Sequence, residues 1–218
     1  MNSVSDLFAW FKREAGAGNI FRSEFPEEKL SLSFRSLQYS DLTTIYEWVN
    51  LPYAKRFWQM DGAKEILLKS FQELLQSDHA HSFIGLSGSR PICQADLYLA
   101  STDEVGRCYP SGQGDIGMHL LMAPRRLRGE RYLSKRVMQA VLGFLFSYCF
   151  VENIVAEPDA HNEKACVLLQ RSGFTFLGNY AMSVKLAAVY ILNKSQFTGT
   201  LSHHLFTPKS APNEKKRN

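Results

Sequence analysis

One segment constrains this chain more than any other: an apolar strand that runs into an arginine-rich turn and then a long amphipathic helix. The run Gly114-Asp-Ile-Gly-Met-His-Leu-Leu-Met122 precedes Arg125-Arg-Leu-Arg-Gly-Glu-Arg-Tyr132, and a helix predicted over 131–150 carries Val137, Val141, Leu142, Leu145 and Phe146 at helical spacing. The strand delivers a single histidine, His119. The first four N–H groups of a helix lack partners and the macrodipole is positive there, so anions settle at that end. Arg125, Arg126, Arg128 and Arg131 around such a terminus suit a multiply phosphorylated ligand. Taken alone, the cluster reads more readily as a solvated basic turn.

Periodicity orders the rest. Lys29-Leu-Ser-Leu-Ser-Phe-Arg35 alternates as a half-buried strand, and Ser40-Asp-Leu opens a helix with Leu42, Ile45, Trp48 and Val49 on one face. Asp61-Gly opens another, with Leu67, Leu68, Phe71, Leu74 and Leu75. Strands are expected at His81–Leu86, Pro91–Leu99, Asp115–Met122 and 153–157, a helix at 163–171, and strands near 174–180 and 184–192. The order β-α-α-β-β-β-α-β-α-β-β predicts an α/β fold, a mixed sheet flanked by helices, over 28–197. Residues 1–27 read as an N-terminal extension outside that fold, with a short helix ended by Gly16 and Gly18. Residues 198–218 read as a polar tail, disordered at its end.

Composition excludes several classes. A net charge of +4, mixed along the chain, is too small to argue for nucleic acid but suits an anionic cofactor. No apolar run approaches a membrane span, and Met1-Asn-Ser-Val-Ser-Asp6 lacks the pattern of a secretory signal. Cys93, Cys108, Cys149 and Cys166 show no metal-ligand spacing, which points to reduced thiols in a cytoplasmic protein and no metal site.

About 40 positions beyond the histidine strand lies Val155-Ala-Glu-Pro-Asp-Ala-His-Asn162, then Ala165, Leu168, Leu169, Arg171, Gly173 and Phe174. A strand ends at a Pro-Asp turn, a helix begins near Asn162, and Gly173 stops it. Together these regions resemble the GNAT superfamily of acyl-CoA-dependent N-acyltransferases over roughly residues 30 to 195. The Gly-x-His-Leu-Leu strand, the Arg128-Gly129-x-x-Tyr132 turn and the Glu157-to-Asn162 segment look most like the branch that builds hydroxamate siderophores, the aerobactin-type N6-hydroxylysine acetyltransferases.

The resemblance implies a GNAT fold with the cofactor, acetyl-CoA or another short acyl-CoA, between two splayed strands. It implies cofactor contacts from Leu120, Leu121, Met122, Arg128, Gly129, Glu130, Arg131, Tyr132, Asn162 and Ala165. His119 would hold and deprotonate the incoming nitrogen. Asp159 would lie across from it and orient it or the substrate; a turn or cap explains that aspartate equally well. Strand parity agrees for the histidine, since Asp115, Gly117, His119 and Leu121 share the face opposite Ile116, Met118, Leu120 and Met122. Gly117 beside it leaves room over the backbone. Where many GNAT enzymes place a tyrosine as acid for the leaving thiolate, this chain has Leu169.

Trp48, Asn50 and Trp58 resemble the substrate-side loop of that branch, although Trp48 also fits a helical core face. Gln94 and Tyr98 share parity with Asp96 and could line the acceptor pocket; Lys185 could meet a substrate carboxylate or stand exposed on a strand. The expected activity is acylation of the hydroxylamine nitrogen of an N-hydroxylated lysine or diamine. The rivals are an aminoglycoside 6′-N-acetyltransferase, disfavoured by the basic Leu51–Phe57 loop, and an acyl-CoA-binding module without turnover. The partner is a small molecule, with no nucleic acid or membrane.

Overall fold

The computed structural model describes residues 1–16, 18–58, 60, 62–124 and 132–197. Its sheet has eight strands: β1 (Asn19–Phe25), β2 (Leu30–Ser36), β3 (Ala80–Ser87), β4 (Arg90–Leu99), β5 (Asp115–Met122), β6 (Asn153–Ala156), β7 (Thr175–Ala181) and β8 (Leu186–Asn193), in the order β1-β2-β3-β4-β5-β6-β8-β7. Among the described residues seven helices flank it: α1 (Val4–Arg13), α2 (Leu42–Val49), α3 (Pro52–Trp58), α4 (Lys64–Gln76), α5 (Leu133–Phe146), α6 (Glu163–Arg171) and the short α7 (Lys194–Phe197). The predicted α/β architecture is present, and the predicted strand Asp115–Met122 and helix 163–171 match β5 and α6 end to end. The 198–218 tail lies outside the described residues.

The N-terminal extension belongs to the fold, contrary to the sequence reading. Val4, Leu7, Phe8 and Phe11 of α1 are at most 1% exposed and enter the main core. Just after the glycines, β1 pairs antiparallel with β2, and Phe21 stacks between Phe34 at 4.3 Å and Phe144 of α5 at 4.0 Å. Large aromatic rings dominate core energetics, so this strand and helix are secured by the same burial that holds the sheet. A register shift between Asn19 and Phe21 interrupts the alternation that would have marked β1 in the sequence.

Side-chain alternation sorts the two faces. Ala95, Leu97 and Leu99 of β4 and Ile116 and Met118 of β5 join α1 and α5 in the main core. The opposite face is covered by two separate clusters. One packs α2, α3 and α4 over Ile84, Leu121 and Ala123. The other packs Ala100, Val105, Cys108 and Tyr109 of the β4–β5 connection over Tyr98, Val155, Ala187 and Val189.

β5 and β6 are parallel, and their ladder has only the rungs Asp115↔Asn153, Ile116↔Ile154 and Gly117↔Val155. Beyond Gly117 the strands part. No helix among the described residues is long and apolar enough to cross a membrane, and all four cysteines are free.

Candidate active site

His119 and Glu157 both stand two residues past the last rung of that ladder, on the same face as Gly117 and Val155. Strand parity thus brings an imidazole and a carboxylate together where the sheet opens. His119 Nε2 hydrogen-bonds Glu157 Oε1. A carboxylate only accepts, so Nε2 carries the proton and Nδ1 keeps the lone pair. The histidine side chain is 40% exposed while that of Glu157 is 3% exposed: one reaches the opening and the other is sealed behind it.

Three donors converge on Glu157. Besides His119, the Tyr98 hydroxyl donates to Oε2 at 2.6 Å and Lys185 Nζ lies 3.4 Å from Oε1. Burial alone would push its carboxyl up, but His119, Lys185 and Tyr98 together hold it far below the usual range, at about 2. Burial likewise disfavours the charged histidine, yet the Glu157 carboxylate outweighs this and raises His119 above its ordinary value. Burial and the neighbouring Glu157 push the Tyr98 phenol well above the usual phenol range, so Tyr98 holds the carboxylate as a neutral donor.

The room that Gly117 leaves is taken by Tyr98. The two are register partners, and a Cβ on Gly117 would come within 2.1 Å of the phenol ring. Tyr98 and Trp58 flank the imidazole, with ring centroids 5.0 Å and 6.3 Å from it.

Backbone polarity follows from the β4–β5 register. Ala123 donates its N–H to Ile92, so by the alternation of an antiparallel ladder Leu121, His119 and Gly117 turn their backbone toward β4. Leu120 and Met122 turn theirs toward the opening. Leu121 is buried in the core under α2 and α4, and the implied cofactor contact from it is not supported.

At the far end of β5, α5 begins after Tyr132, which is exposed and gives that terminus no side-chain cap. A strand opening followed by an uncapped helix start fits a thioester with a phosphorylated tail. Arg125, Arg126, Arg128, Gly129, Glu130 and Arg131 lie outside the described residues.

The acetyltransferase (GNAT) domain family matches residues 38–182. The chain belongs to this family. This GNAT domain is 26% identical over 191 residues to N(6)-hydroxylysine O-acetyltransferase of Escherichia coli, covering 87% of this chain and 58% of that protein, so it spans little more than half of that relative's length. It is 23% identical over 192 residues to N-hydroxyputrescine acetyltransferase of Acinetobacter baumannii, covering 85% and 89%. Among solved structures, an uncharacterized protein from Bacillus halodurans superposes with a TM-score of 0.77 at 22% identity, covering 82% of this chain and 92% of that one. The aminoglycoside acetyltransferase AAC(6')-Ib in complex with ribostamycin and coenzyme A gives 0.70 at 21% identity, covering 78% and 98%. At these identities the two structures share the fold with this GNAT domain.

Several implied site residues of the GNAT domain serve structure instead. Asp159 does not touch His119. β6 ends at Ala156, and beyond Pro158 the Asp159 carboxylate accepts the His161 N–H at 2.8 Å and lies 2.9 Å from its ring. The carboxylate on His119 is Glu157, which the sequence placed at the end of the 153–157 strand without a catalytic role; the period of that strand was the available signal. Asn162 caps α6, accepting the Ala165 N–H at 3.3 Å, and Ala165 sits in the first turn of that helix. Leu169, where a tyrosine would stand, is packed in the main core.

Trp48 is 1% exposed on the buried face of α2 and cannot meet a substrate. Asn50 is a clamp: its Nδ2 donates to Tyr46 at 2.8 Å, and its Oδ1 accepts the Gly62 N–H at 3.3 Å. Gly62 has φ 120, which only glycine adopts readily. Trp58 is not in a loop but ends α3, which starts on Pro52. Gln94, Tyr98 and Lys185 do gather around the pair, Gln94 through Asp96, the register partner of His119. No group of three metal-ligating side chains occurs among the described residues.

Proposed function

We propose that this acetyltransferase transfers an acyl group from acetyl-CoA, or another short acyl-CoA, to the hydroxylamine nitrogen of an N-hydroxylated diamine or lysine, giving a hydroxamate for siderophore assembly in the cytoplasm. The observation that carries the reading is the His119–Glu157 pair at the mouth of the β5–β6 opening. The donor supplies a thioester carbonyl. The nitrogen lone pair attacks that carbon, a C–N bond forms, the C–S bond breaks and coenzyme A leaves as thiolate. The nitrogen's proton passes to His119 Nδ1, and Glu157 stabilises the resulting imidazolium. Tyr98 and Lys185 keep Glu157 in place. The Leu120 and Met122 amides, turned to the opening, face the developing oxyanion. The arginines of the 125–131 turn hold the phosphates.

An ordinary amine with a pKa near 10.4 leaves only about one molecule in 2,500 neutral at pH 7. N-hydroxylation lowers that basicity, so the acceptor arrives nucleophilic and one histidine suffices to collect its proton. A thiol-release assay with acetyl-CoA over hydroxylamines, their parent amines and aminoglycosides tests this. The N-hydroxylated acceptor is expected to exceed its parent amine by orders of magnitude in kcat/KM at pH 7. Equal turnover of the parent amine, or preference for an aminoglycoside, would overturn the hydroxylamine reading.

A further inference from the structure

Beside the His119–Glu157 pair stands a second carboxylate that the chemistry above does not use. Asp96 lies directly opposite His119 across the β4–β5 ladder, where facing side chains have Cβ atoms about 5 Å apart. Its Oδ1 accepts from the Ser82 hydroxyl and, at 2.8 Å, from Gln94 Nε2. Both donors are neutral and nearly sealed, Ser82 at 2% and Gln94 at 8% exposure. The cation that acts on Asp96 across the ladder, His119, gives its hydrogen bond to Glu157 instead. Among the described residues no lysine, arginine or histidine forms an ion pair with Asp96. Burial raises the Asp96 carboxyl above its usual range against the pull of its two neutral donors and of His119, so an incoming cation would hold it ionised better than its present surroundings do.

A second observation points the same way. Gln94 Oε1 is buried and has no hydrogen-bond partner. Turning the amide round would not relieve it, because the carboxylate of Asp96 must receive the NH2 group. Carboxylate and orphan carbonyl together lack donors and positive charge. A water satisfies the carbonyl but not the charge; an ammonium, with three donors, satisfies both.

We propose that Asp96, supported by Gln94 and Ser82, is a subsite for the second, protonated nitrogen of the acceptor, which makes the acceptor a mono-N-hydroxylated diamine. This rests on the acyltransferase reading above. The hydroxylamine end sits at His119, the methylene chain runs past the Trp58 and Tyr98 rings, and the ammonium end meets Asp96. An amino-acid acceptor would bring a carboxylate beside Asp96, and the nearest cation for it, Lys185, is already engaged by Glu157.

The test compares two isosteric acceptors, mono-N-hydroxylated diaminopentane and N-hydroxyhexylamine, in which a methyl group replaces the second nitrogen. For the natural enzyme, kcat/KM is expected to favour the diamine by about tenfold to a hundredfold, mainly through KM, the value of one charge-assisted hydrogen bond. In Asp96→Asn, which keeps the shape and removes the charge, that ratio is expected to fall toward unity. No preference in the natural enzyme, a ratio unchanged in the variant, or better turnover of N6-hydroxylysine than of the diamine would each overturn the subsite. Should the variant not fold, the ratio in the natural enzyme still decides. Calorimetry with diaminopentane in the presence of coenzyme A separates the two readings. If no hydroxylamine is acylated the acyltransferase reading fails, while binding lost in Asp96→Asn upholds the subsite and equal binding removes it.

Discussion

A histidine that works as a base must be neutral when the acceptor attacks, and the neighbours of His119 decide when that is. Burial disfavours its charged form, but Glu157 raises it above 6.5. Activity is therefore expected to climb with pH through an apparent value above 6.5. In Glu157→Gln the carboxylate is gone and burial and Lys185 are opposed only by Asp96, so the ascending limb should move to lower pH than in the natural enzyme. The acceptor's own ionisation is common to both proteins and cancels in the comparison. An unmoved limb would dissociate Glu157 from the histidine. His119→Ala is expected to lower kcat by roughly a hundredfold or more with coenzyme A affinity retained. His119 was legible in sequence because a period of two places it on the polar face of an otherwise apolar strand. Glu157 was not, because its meeting with His119 depends on the rung between Gly117 and Val155, which no local pattern records.

At the scale of elements, the N-terminal helix behaves as core. Phe11 is fully buried and meets Phe83 edge-on at 4.9 Å, with Phe8 at 5.9 Å. Phe11→Ala leaves a cavity between α1 and β3 and is expected to cost about 3–5 kcal/mol, read as a lower midpoint in denaturant with an unchanged slope. A midpoint within error of the natural protein would show α1 to be dispensable. The helices with regular apolar spacing, α2, α4, α5 and α6, were all legible within a few residues. β1 was not, since its shifted register hides the alternation and the glycines before it looked like an end. α3 was hidden for another reason: Pro52, which opens the helix, also punctuates loops, and only Ala54 of its residues is fully buried.

At the scale of the whole molecule, the main core under α1 and α5 is continuous, whereas the opposite face is split into two clusters. The reacting groups occupy that split. Layer order and the position of the phosphate turn could be read from the succession of strands and helices. The split could not, because it depends on which long-range clusters fail to merge. The same holds for the short parallel ladder, whose consequence reaches the exchange behaviour of single amides. From Met118 to Met122, one edge of β5 is stitched to β4 while the other has no strand against it beyond Gly117. Hydrogen exchange measured amide by amide should therefore alternate along the four consecutive residues His119 to Met122, with His119 and Leu121 slow and Leu120 and Met122 fast. Coenzyme A thioesters would erase the alternation if they complete that edge, so a single strand serves as its own internal reference for ligand docking.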